Sequence, residues 1–327
     1  PGWQECFEGI TLTGKSDEPK SAQNILANLA IIATVIFWGM SFVSSKAILN
    51  AGVPPFTMAF LRFLIASLML LPILYRTQPR TRIPKESRVP LLLSALFGVT
   101  IYFLFETWGI KLTSAASASM IIASIPVFTI CAEYVVYKNN ISPIKWLGVL
   151  LSIAGVYFII KRGQASENNP QALLGNLLML GACLSWVAYI LISKGLNGRF
   201  SDLALTTYQN LFGALFLLPL ALLEYKLWRP ISPVAWINII YLAVFCSAIS
   251  YFLYIYSLSH LDSVVISSYV NLIPVVSALG SAFILGEEIT LQQILGGAIV
   301  IAGVYIVNLK KEGRYSSSKG HRHLESC

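Results

Sequence analysis

The chain has 327 residues, of which 56% are hydrophobic and 12% charged, and its mean hydropathy is +0.70. Soluble domains carry roughly a quarter charged residues, and a soluble fold of this length could not bury so much apolar surface, so the composition indicates a membrane protein. The formal net charge of +8 would suit a nucleic-acid partner. The basic residues, however, lie in short segments between apolar runs, as membrane topology requires, and we expect no nucleic-acid partner.

Ten apolar segments are long enough to cross a lipid bilayer as helices, which needs roughly 20 mostly apolar residues. The first five cover residues 25–47, 55–75, 89–110, 114–137 and 142–160. The second five cover residues 172–194, 202–225, 234–258, 263–286 and 290–309. Polar residues 1–24 precede them, residues 162–171 link the two sets, and residues 310–327 form a basic tail that we expect to be disordered. The sequence therefore predicts an all-α integral membrane protein with ten transmembrane helices.

The distribution of Lys and Arg predicts the orientation in the membrane. With the N-terminus in the cytoplasm, about 16 of these residues fall on the cytoplasmic side and about 6 on the outer side, while Arg62 lies within a span. This bias predicts that both termini are cytoplasmic. We expect a multi-pass protein of a cell membrane, of the bacterial inner-membrane kind, with the lipid bilayer as a partner.

The two sets of five segments repeat each other. SIPVF at 124–128 returns as LIPVV at 272–276, and IAGVY at 153–157 returns at 301–305, both 148 residues later. The YFL at 102–104 recurs at 251–253, one residue out of this register. Because five spans is an odd number, the second copy must enter the bilayer from the opposite side. Two inverted five-helix repeats are typical of transporters, whose substrate sites lie at the repeat interface.

Several stretches resemble a known family. FWGMSFVSSKAI, FLRFLIASLMLLP, the WGIKLTSAASASMIIASIPVFT run and its IAGVY partner are similar to the drug/metabolite transporter superfamily, in its ten-helix EamA-like branch. The resemblance implies one repeat at residues 25–161 and another at 172–309. It also implies a central cavity built from helices 1–4 and 6–9, with helices 5 and 10 at the periphery. One departure is KNN at 138–140, where the second half has GEE at 286–288 and the family often has an acidic pair in both.

The resemblance also implies an activity. Members of this family export or exchange small metabolites such as amino acids, usually as secondary active carriers working by alternating access, so we expect an exporter that is not an enzyme and needs no cofactor or metal. An alternative within transport is a carrier or flippase for phosphate-containing or lipid-linked solutes, which would need a positive cavity. An integral membrane enzyme or receptor is the alternative from another class, and neither would require the inverted repeat.

Two charged residues lie within the predicted spans. Glu106 is about four residues from the outer end of the third span and Arg62 about seven from that of the second, so their depths are comparable. A charge at the centre of a bilayer costs about 2.5–3.5 kcal/mol on insertion scales and usually has a partner. One interpretation is an ion pair between the two that holds the helices together. The other makes Glu106 a proton-coupling or substrate-ammonium site, which a firm pairing with Arg62 would oppose.

Polar and aromatic residues within the spans are candidates for a solute cavity, although each would also serve as ordinary helix packing. Trp38 and Trp186 are related by the 148-residue offset and lie too deep for an interfacial belt. Pro126 and Pro274, also equivalent, each remove a backbone donor and predict a kink in a span. The full set of cavity candidates is Trp38, Ser41, Tyr102, Glu106, Ser119, Trp186, Tyr189, Gln209, Asn210, Tyr251, Tyr254 and Asn271.

The remaining features have structural interpretations. Lys46 and Lys194 stand at span ends, where we expect their side chains to extend towards the membrane surface. Glycines in LGVLLSIAG and LGGAIVIAG predict close helix contacts of helices 5 and 10, or a homodimer face. The five cysteines form no CxxC pair, so we expect no zinc site or disulfide framework.

Overall fold

The structure is a computed structural model, and it describes residues 20–308 except 80, 82, 139–141, 166–170, 197–198 and 262–268. Within these residues every regular element is helical. The tail at residues 310–327, which we expected to be disordered, lies outside the described residues, as do residues 1–19 of the polar segment 1–24. The first set of helices contains α1 (Lys20–Asn50), α2 (Pro55–Thr77), α3 (Arg88–Ala95, Leu96–Ile101 and Tyr102–Leu112), α4 (Ala115–Ile122 and Ile125–Tyr137) and α5 (Pro143–Ala165).

The second set repeats this order. It contains α6 (Ala172–Lys194), α7 (Asp202–Leu223), α8 (Pro233–Tyr241, Leu242–Ile249 and Ser250–His260), α9 (Ile273–Gly280 and Ser281–Leu285, with its beginning outside the described residues) and α10 (Leu291–Asn308). Short 3₁₀ turns at Lys85–Ser87 and Tyr225–Leu227 lie in the connections. Among the described residues, seven helices are long and apolar enough to cross a membrane, and Pro143–Ile159, Ile273–Leu285 and Leu291–Ile306 are shorter apolar helices.

Local sequence explains where several helices begin. Ser114, Ser201 and Ser232 each accept a hydrogen bond from the backbone N–H three residues later, at 3.0, 3.2 and 3.3 Å. A serine in this position satisfies one of the N–H groups that a helix start leaves unpaired. Pro55 and Pro233 occupy the first turns of α2 and α8, where a missing N–H costs nothing. Serine and proline together fix the starts of these helices in the chain.

The kinks predicted at Pro126 and Pro274 are interruptions in the structure. Residues 123–124 and 271–272 have a turn conformation, and each proline then lies in the first turn of the helical segment that follows. A proline in this place loses no helical hydrogen bond of its own, because the first N–H groups of a helix are unpaired. The repeat therefore extends to the conformation of the two broken helices.

Three segments have the wider π-helical winding: Leu96–Ile101 in α3, Leu242–Ile249 in α8 and Ser281–Leu285 at the end of α9. The first two occupy equivalent places in the two halves. π segments inside α-helices are rare and often occur at functional sites, because they leave carbonyl groups free for other donors. The length of the apolar segments had predicted continuous helices here, so the π segments are a finding of the structure.

Equivalent helices of the two halves run in opposite directions. A Cβ atom on Gly155 of α5 would lie 2.7 Å from Gly296 O of α10, and one on Gly303 would lie 2.6 Å from Gly148 O. Early residues of α5 therefore face late residues of α10. The same holds for α2 and α7, because the start of α2 bonds Glu224, whereas Gln78 after α2 contacts Ser201 before α7.

The remaining helices pack across the two halves. α1 packs most extensively against α8 and α9 of the second half, and α6 packs against α3 and α4 of the first half. The result is two bundles, which we call the α1 bundle (α1, α8 and α9) and the α6 bundle (α3, α4 and α6). The pairs α2–α7 and α5–α10 each join one half to the other. The boundary between the two bundles is called the central seam below.

Candidate solute-binding site

Two pairs of aromatic rings lie along the central seam in equivalent positions. The ring centroids of Trp38 in α1 and Tyr251 in α8 are 5.8 Å apart, and those of Trp186 in α6 and Tyr102 in α3 are 5.0 Å apart. Each pair joins the first helix of one half to the third helix of the other. Tyr254 lies 5.4 Å from Trp38 and Tyr189 lies 4.8 Å from Trp186, so each tryptophan contacts two tyrosines. The inverted repeat thus places six of the predicted cavity residues at one boundary.

The π segments anchor these aromatic groups. Trp38 donates its indole N–H to Cys246 O in the π segment of α8, at 3.1 Å. In the other bundle Ser185, which precedes Trp186, donates its hydroxyl to Phe97 O in the π segment of α3, at 2.7 Å. Both carbonyls accept side-chain donors from the partner half. The wider winding therefore supplies acceptors that hold α1 on α8 and α6 on α3.

Arg62 does not form the ion pair with Glu106 that was one interpretation of the sequence, since no contact within 4.0 Å joins these two described residues. Its Nε instead donates to Ser247 Oγ in the π segment of α8, at 2.9 Å. The guanidinium also lies 4.7 Å from the ring centroid of Phe103, in cation–π range. The physical reason is competition, because a hydroxyl from α8 and an aromatic face of α3 hold the guanidinium away from the carboxylate.

Glu106 is 4% exposed, and its Oε2 has no hydrogen-bond partner in the structure. Arg62, at 7% exposed, is close enough for its charge to act on Glu106, Tyr102 and Tyr251. Two opposite charges are thus buried near the aromatic pairs without direct contact. Burying such charges unpaired is costly, so residues like these commonly have a functional reason.

Tyr189 connects the aromatic rings to a series of side-chain hydrogen bonds in the α6 bundle and α7. Its hydroxyl donates to Gln209 Oε1 of α7 at 3.3 Å, and Gln209 Nε2 donates to Ser94 Oγ of α3 at 3.0 Å. Electrostatic interaction also connects Tyr189 with Tyr251 and Tyr254 on the other bundle. These tyrosines are only partly buried although they lie within helices. The central seam therefore has polar hydroxyl groups and accessible surface on both sides.

Among the described residues, four predicted cavity residues form no ring contact and no side-chain-to-side-chain hydrogen bond with this group. Ser41 and Ser119 donate to carbonyls three residues earlier in their own helices, at 2.7 and 2.9 Å. Asn271 lies in the turn that interrupts α9. Asn210, which follows Gln209 in the sequence, is buried, and its Nδ2 has no hydrogen-bond partner. A cavity role for these four residues remains a prediction.

Two carboxylates and a lysine at one end of the molecule were not recognised as helix caps from the sequence. Glu224 accepts from the backbone N–H groups of Phe56 and Thr57 at the start of α2, at 3.2 and 2.8 Å. Glu287 accepts from the N–H of Ala115 at the start of α4, at 3.1 Å. The predicted extension of Lys46 towards the membrane surface is wrong, because its Nζ donates to Ile110 O at 2.8 Å and also to Thr113 O.

These contacts follow from helix electrostatics. Helix N-termini carry partial positive charge and unpaired N–H groups, and C-termini carry the opposite. A lysine beside the end of α3 and a carboxylate beside the start of α4 find better partners there than at the membrane surface. The sequence contains no signal for these caps, because only the three-dimensional arrangement shows which helix ends lie beside Glu224, Glu287 and Lys46. The side chain of Lys194 lies outside the described residues.

Two cavities in the described part of the chain lie towards the ends of the bundle. One of about 260 Å³ lies between the α1–α2 turn and the connection before α8, beside Trp228 and Trp236. Another of about 570 Å³ lies between α2, α3 and α7, beside Arg88 and Tyr208. Neither includes the aromatic pairs of the central seam. They mark spaces at opposite ends of α2.

An inverted helical repeat with aromatic and charged residues buried at its seam defines a multi-pass membrane protein of the transporter kind. The chain belongs to the EamA-like transporter family, whose model matches residues 25–161 and 173–309. This match confirms the resemblance to the drug/metabolite transporter superfamily that the motifs carry, and its two ranges show that the family unit occurs twice.

Curated relatives agree with this membership. An uncharacterized transporter of Archaeoglobus fulgidus is 30% identical over 290 residues, covering 88% of this chain and 99% of the relative. The uncharacterized transporter YetK of Bacillus subtilis is 27% identical, with 88% of both chains covered. A solved crystal structure superposes with a TM-score of 0.57 at 19% identity, over 86% of this chain and 98% of that one, which shows a shared fold.

Proposed function

We propose that this protein is a secondary active exporter of small organic metabolites, such as amino acids or related compounds, working by alternating access between its two inverted halves. The observation that carries the proposal is the two equivalent Trp–Tyr contacts, one in each bundle beside the central seam, next to two buried charges that do not contact each other. Inverted halves allow the same packing to open towards either face in turn, and solutes of such transporters bind where the halves meet.

The aromatic surfaces and hydroxyl groups of the central seam suit an amphipathic solute. Tryptophan and tyrosine rings bind apolar parts of a solute and attract cationic groups to their faces. Glu106 carries an oxygen without a hydrogen-bond partner, which would accept a proton or a solute ammonium group. Because Arg62 bonds Ser247 rather than this carboxyl group, the functional interpretation of Glu106 gains support over the structural ion pair.

Transport by reconstituted vesicles tests this proposal. Labelled amino acids and related amines are offered under an imposed pH gradient, and flux is compared between wild type and Glu106→Gln. We expect the substitution to abolish proton-coupled flux while the protein remains folded, because glutamine has the shape of glutamate but cannot exchange a proton. Coupled flux at the wild-type rate in Glu106→Gln would reject the coupling role, and the absence of flux for every solute offered would reject the solute class.

A carrier of phosphate-containing or lipid-linked solutes is the second candidate. The favouring observation is that Arg62 is not neutralised by direct contact with Glu106, so its guanidinium is able to bind an anion. The same vesicles distinguish the two candidates when phosphorylated solutes are included in the panel. Flux of a phosphorylated solute that is lost in Arg62→Lys, which keeps the charge but not the planar fork, would favour this second function.

The orientation expected from the basic residues completes the proposal. With cytoplasmic termini, the end at which α1 finishes faces outward, and we call it the Asn50 end; the opposite end, near Gln78, faces the cytoplasm. The lipid bilayer surrounds the exposed apolar side chains of α5 and α10. A homodimer through these two helices remains a prediction, but their glycines face each other within the chain and so do not supply the reason for it.

A further inference from the structure

The Asn50 end carries a group of polar contacts that join the α1 bundle to the α6 bundle. Lys46 at the end of α1 donates to Ile110 O at 2.8 Å and Lys111 O at 3.2 Å, both in the last turn of α3. Glu287, in the connection after α9, accepts from Ala115 N–H through both carboxylate oxygens, at 3.1 Å each. Each contact crosses the boundary between the bundles at the same end.

Two further contacts reach the start of α4 from the second half. Gln293 in the first turn of α10 donates to Ser117 Oγ of α4 at 2.8 Å. Ser277, in the Ile273–Gly280 segment of α9, donates to Ala115 O at 3.3 Å. Contacts from three successive parts of the second half, α9, its connection and α10, therefore converge on the start of α4.

The hydrogen bonds of Lys46 and Glu287 are stronger than ordinary hydrogen bonds, because both side chains are charged. Both Lys46 and Glu287 are ionised groups bonded to backbone dipoles at helix ends, so the hydrogen bonds are charge-assisted and the helix macrodipoles add to them. The two charges are also close enough to attract each other. Breaking these bonds without replacement would leave charged groups and helix ends without partners in a partly buried place.

We infer that Lys46 and Glu287 form a gate that closes the central seam at the Asn50 end and must release for the solute to pass there. This inference rests on the proposed function, since a gate has meaning only for a protein that opens in turn to two sides. Asn139 stands at the sequence position equivalent to Glu287 in the first half, where an amide replaces the carboxylate. The first half therefore has no carboxylate at the position equivalent to Glu287, which caps α4 at the Asn50 end.

The geometry implies how the gate would act. Lys46 holds the end of α3 against α1, and Glu287 holds the start of α4 against the connection after α9. Separation of the two bundles at this end requires both contacts to break together, because only two residues lie between the last residue of α3 and the first of α4. The gate thus couples opening to the simultaneous release of one cation and one anion.

A distance measurement tests the gate without any knowledge of the solute. Spin labels are attached to cysteines at Ala51 on the α1 bundle and Lys111 on the α6 bundle, both exposed, in full-length protein whose other cysteines are replaced by alanine. The distance distribution is recorded in lipid nanodiscs. In Glu287→Gln and in Lys46→Met we expect the ratio of long to short distances to rise roughly tenfold or more, as the loss of a charge-assisted hydrogen bond predicts.

The chain offers matched controls. Glu288→Gln removes the same charge from the neighbouring exposed position, and Lys46→Arg keeps the cation, so both should give the wild-type distribution. An unchanged distribution in both Glu287→Gln and Lys46→Met would overturn the gate, and so would an equal change in Glu288→Gln. Size-exclusion profiles identify any variant that fails to fold, in which case the other variant decides. A positive result without transport of any solute would reject the proposed solutes but leave the gate standing.

Discussion

Replacement of Gly155 or Gly303 by alanine should destabilise the protein, because these glycines let α5 and α10 approach each other with backbone in contact. A Cβ on Gly155 would lie 2.7 Å from Gly296 O and 2.8 Å from Val300 N, whereas ordinary contact begins at 3.4 Å. α5 and α10 would have to separate by about 0.7 Å in the direction from Gly155 to Gly296 to restore ordinary contact. Neither obstacle is a flexible side chain that could rotate away, since both are backbone atoms.

The cost follows from two opposing effects. Overpacking of this kind costs about 1–3 kcal/mol, and a gap of this size forfeits about a quarter to a half of each van der Waals contact along the line. Alanine offsets part of this by its better helix propensity, which gains about 1 kcal/mol over glycine. We therefore expect a net loss of up to about 2 kcal/mol for each substitution, and similar losses for both because the positions are equivalent in the repeat.

Gly297→Ala is the matched control in the same helix. Its Cβ would meet only Met120, with the sulfur at 3.1 Å, and a methionine side chain can move aside. The apparent melting temperature in detergent, followed by fluorescence-detected size exclusion, should fall by several degrees in Gly155→Ala and Gly303→Ala and should not fall in Gly297→Ala. Equal melting temperatures for all three variants would refute the argument that backbone contact joins α5 to α10.

Three further predictions concern other contacts. Glu224→Gln should lower the free energy of unfolding by about 1 kcal/mol, because it weakens the cap of α2, while the exposed Glu288→Gln should not; thermal melting compares the two. Trp38→Phe should slow solute flux in vesicles but leave the protein folded, since it removes the indole N–H bond to Cys246 O and keeps an aromatic ring in place; wild-type flux would contradict a site role. Single cysteines at Ala51 and Gln78 should react with an impermeant maleimide from opposite sides of the membrane, and labelling from one side would refute the proposed orientation.

Much of the fold could be predicted because its signals are local. The apolar segments expected at residues 55–75 and 172–194 are the helices Pro55–Thr77 and Ala172–Lys194, since length and hydropathy alone define them. The 148-residue offset predicted the equivalence of Trp38 and Trp186, and in the structure each contacts a tyrosine on the third helix of the opposite half. Periodic patterns of this kind do not depend on long-range contacts.

The unpredicted features depend on contacts between distant parts of the chain. The π segments could not be recognised from the sequence, because the spans were identified by apolar length and residues 96–101 and 242–249 are mostly apolar like the helices around them. Whether Arg62 bonds Glu106 or Ser247 depends on how α8 packs against α2, which depth along a helix does not reveal. Lys46 illustrates the same limit, since a lysine at a span end usually extends to the surface unless a helix terminus lies within its reach.

The π segment of α8 lies just before the YFL motif that is one residue out of register. That segment spans Leu242–Ile249, eight residues, whereas its counterpart in α3, Leu96–Ile101, has six. In an ordinary α-helix one inserted residue would rotate everything after it by about 100° and turn Tyr251 away from Trp38. A wider coil is able to absorb an inserted residue locally, and despite the one-residue shift Tyr102 and Tyr251 each contact the tryptophan of the opposite half.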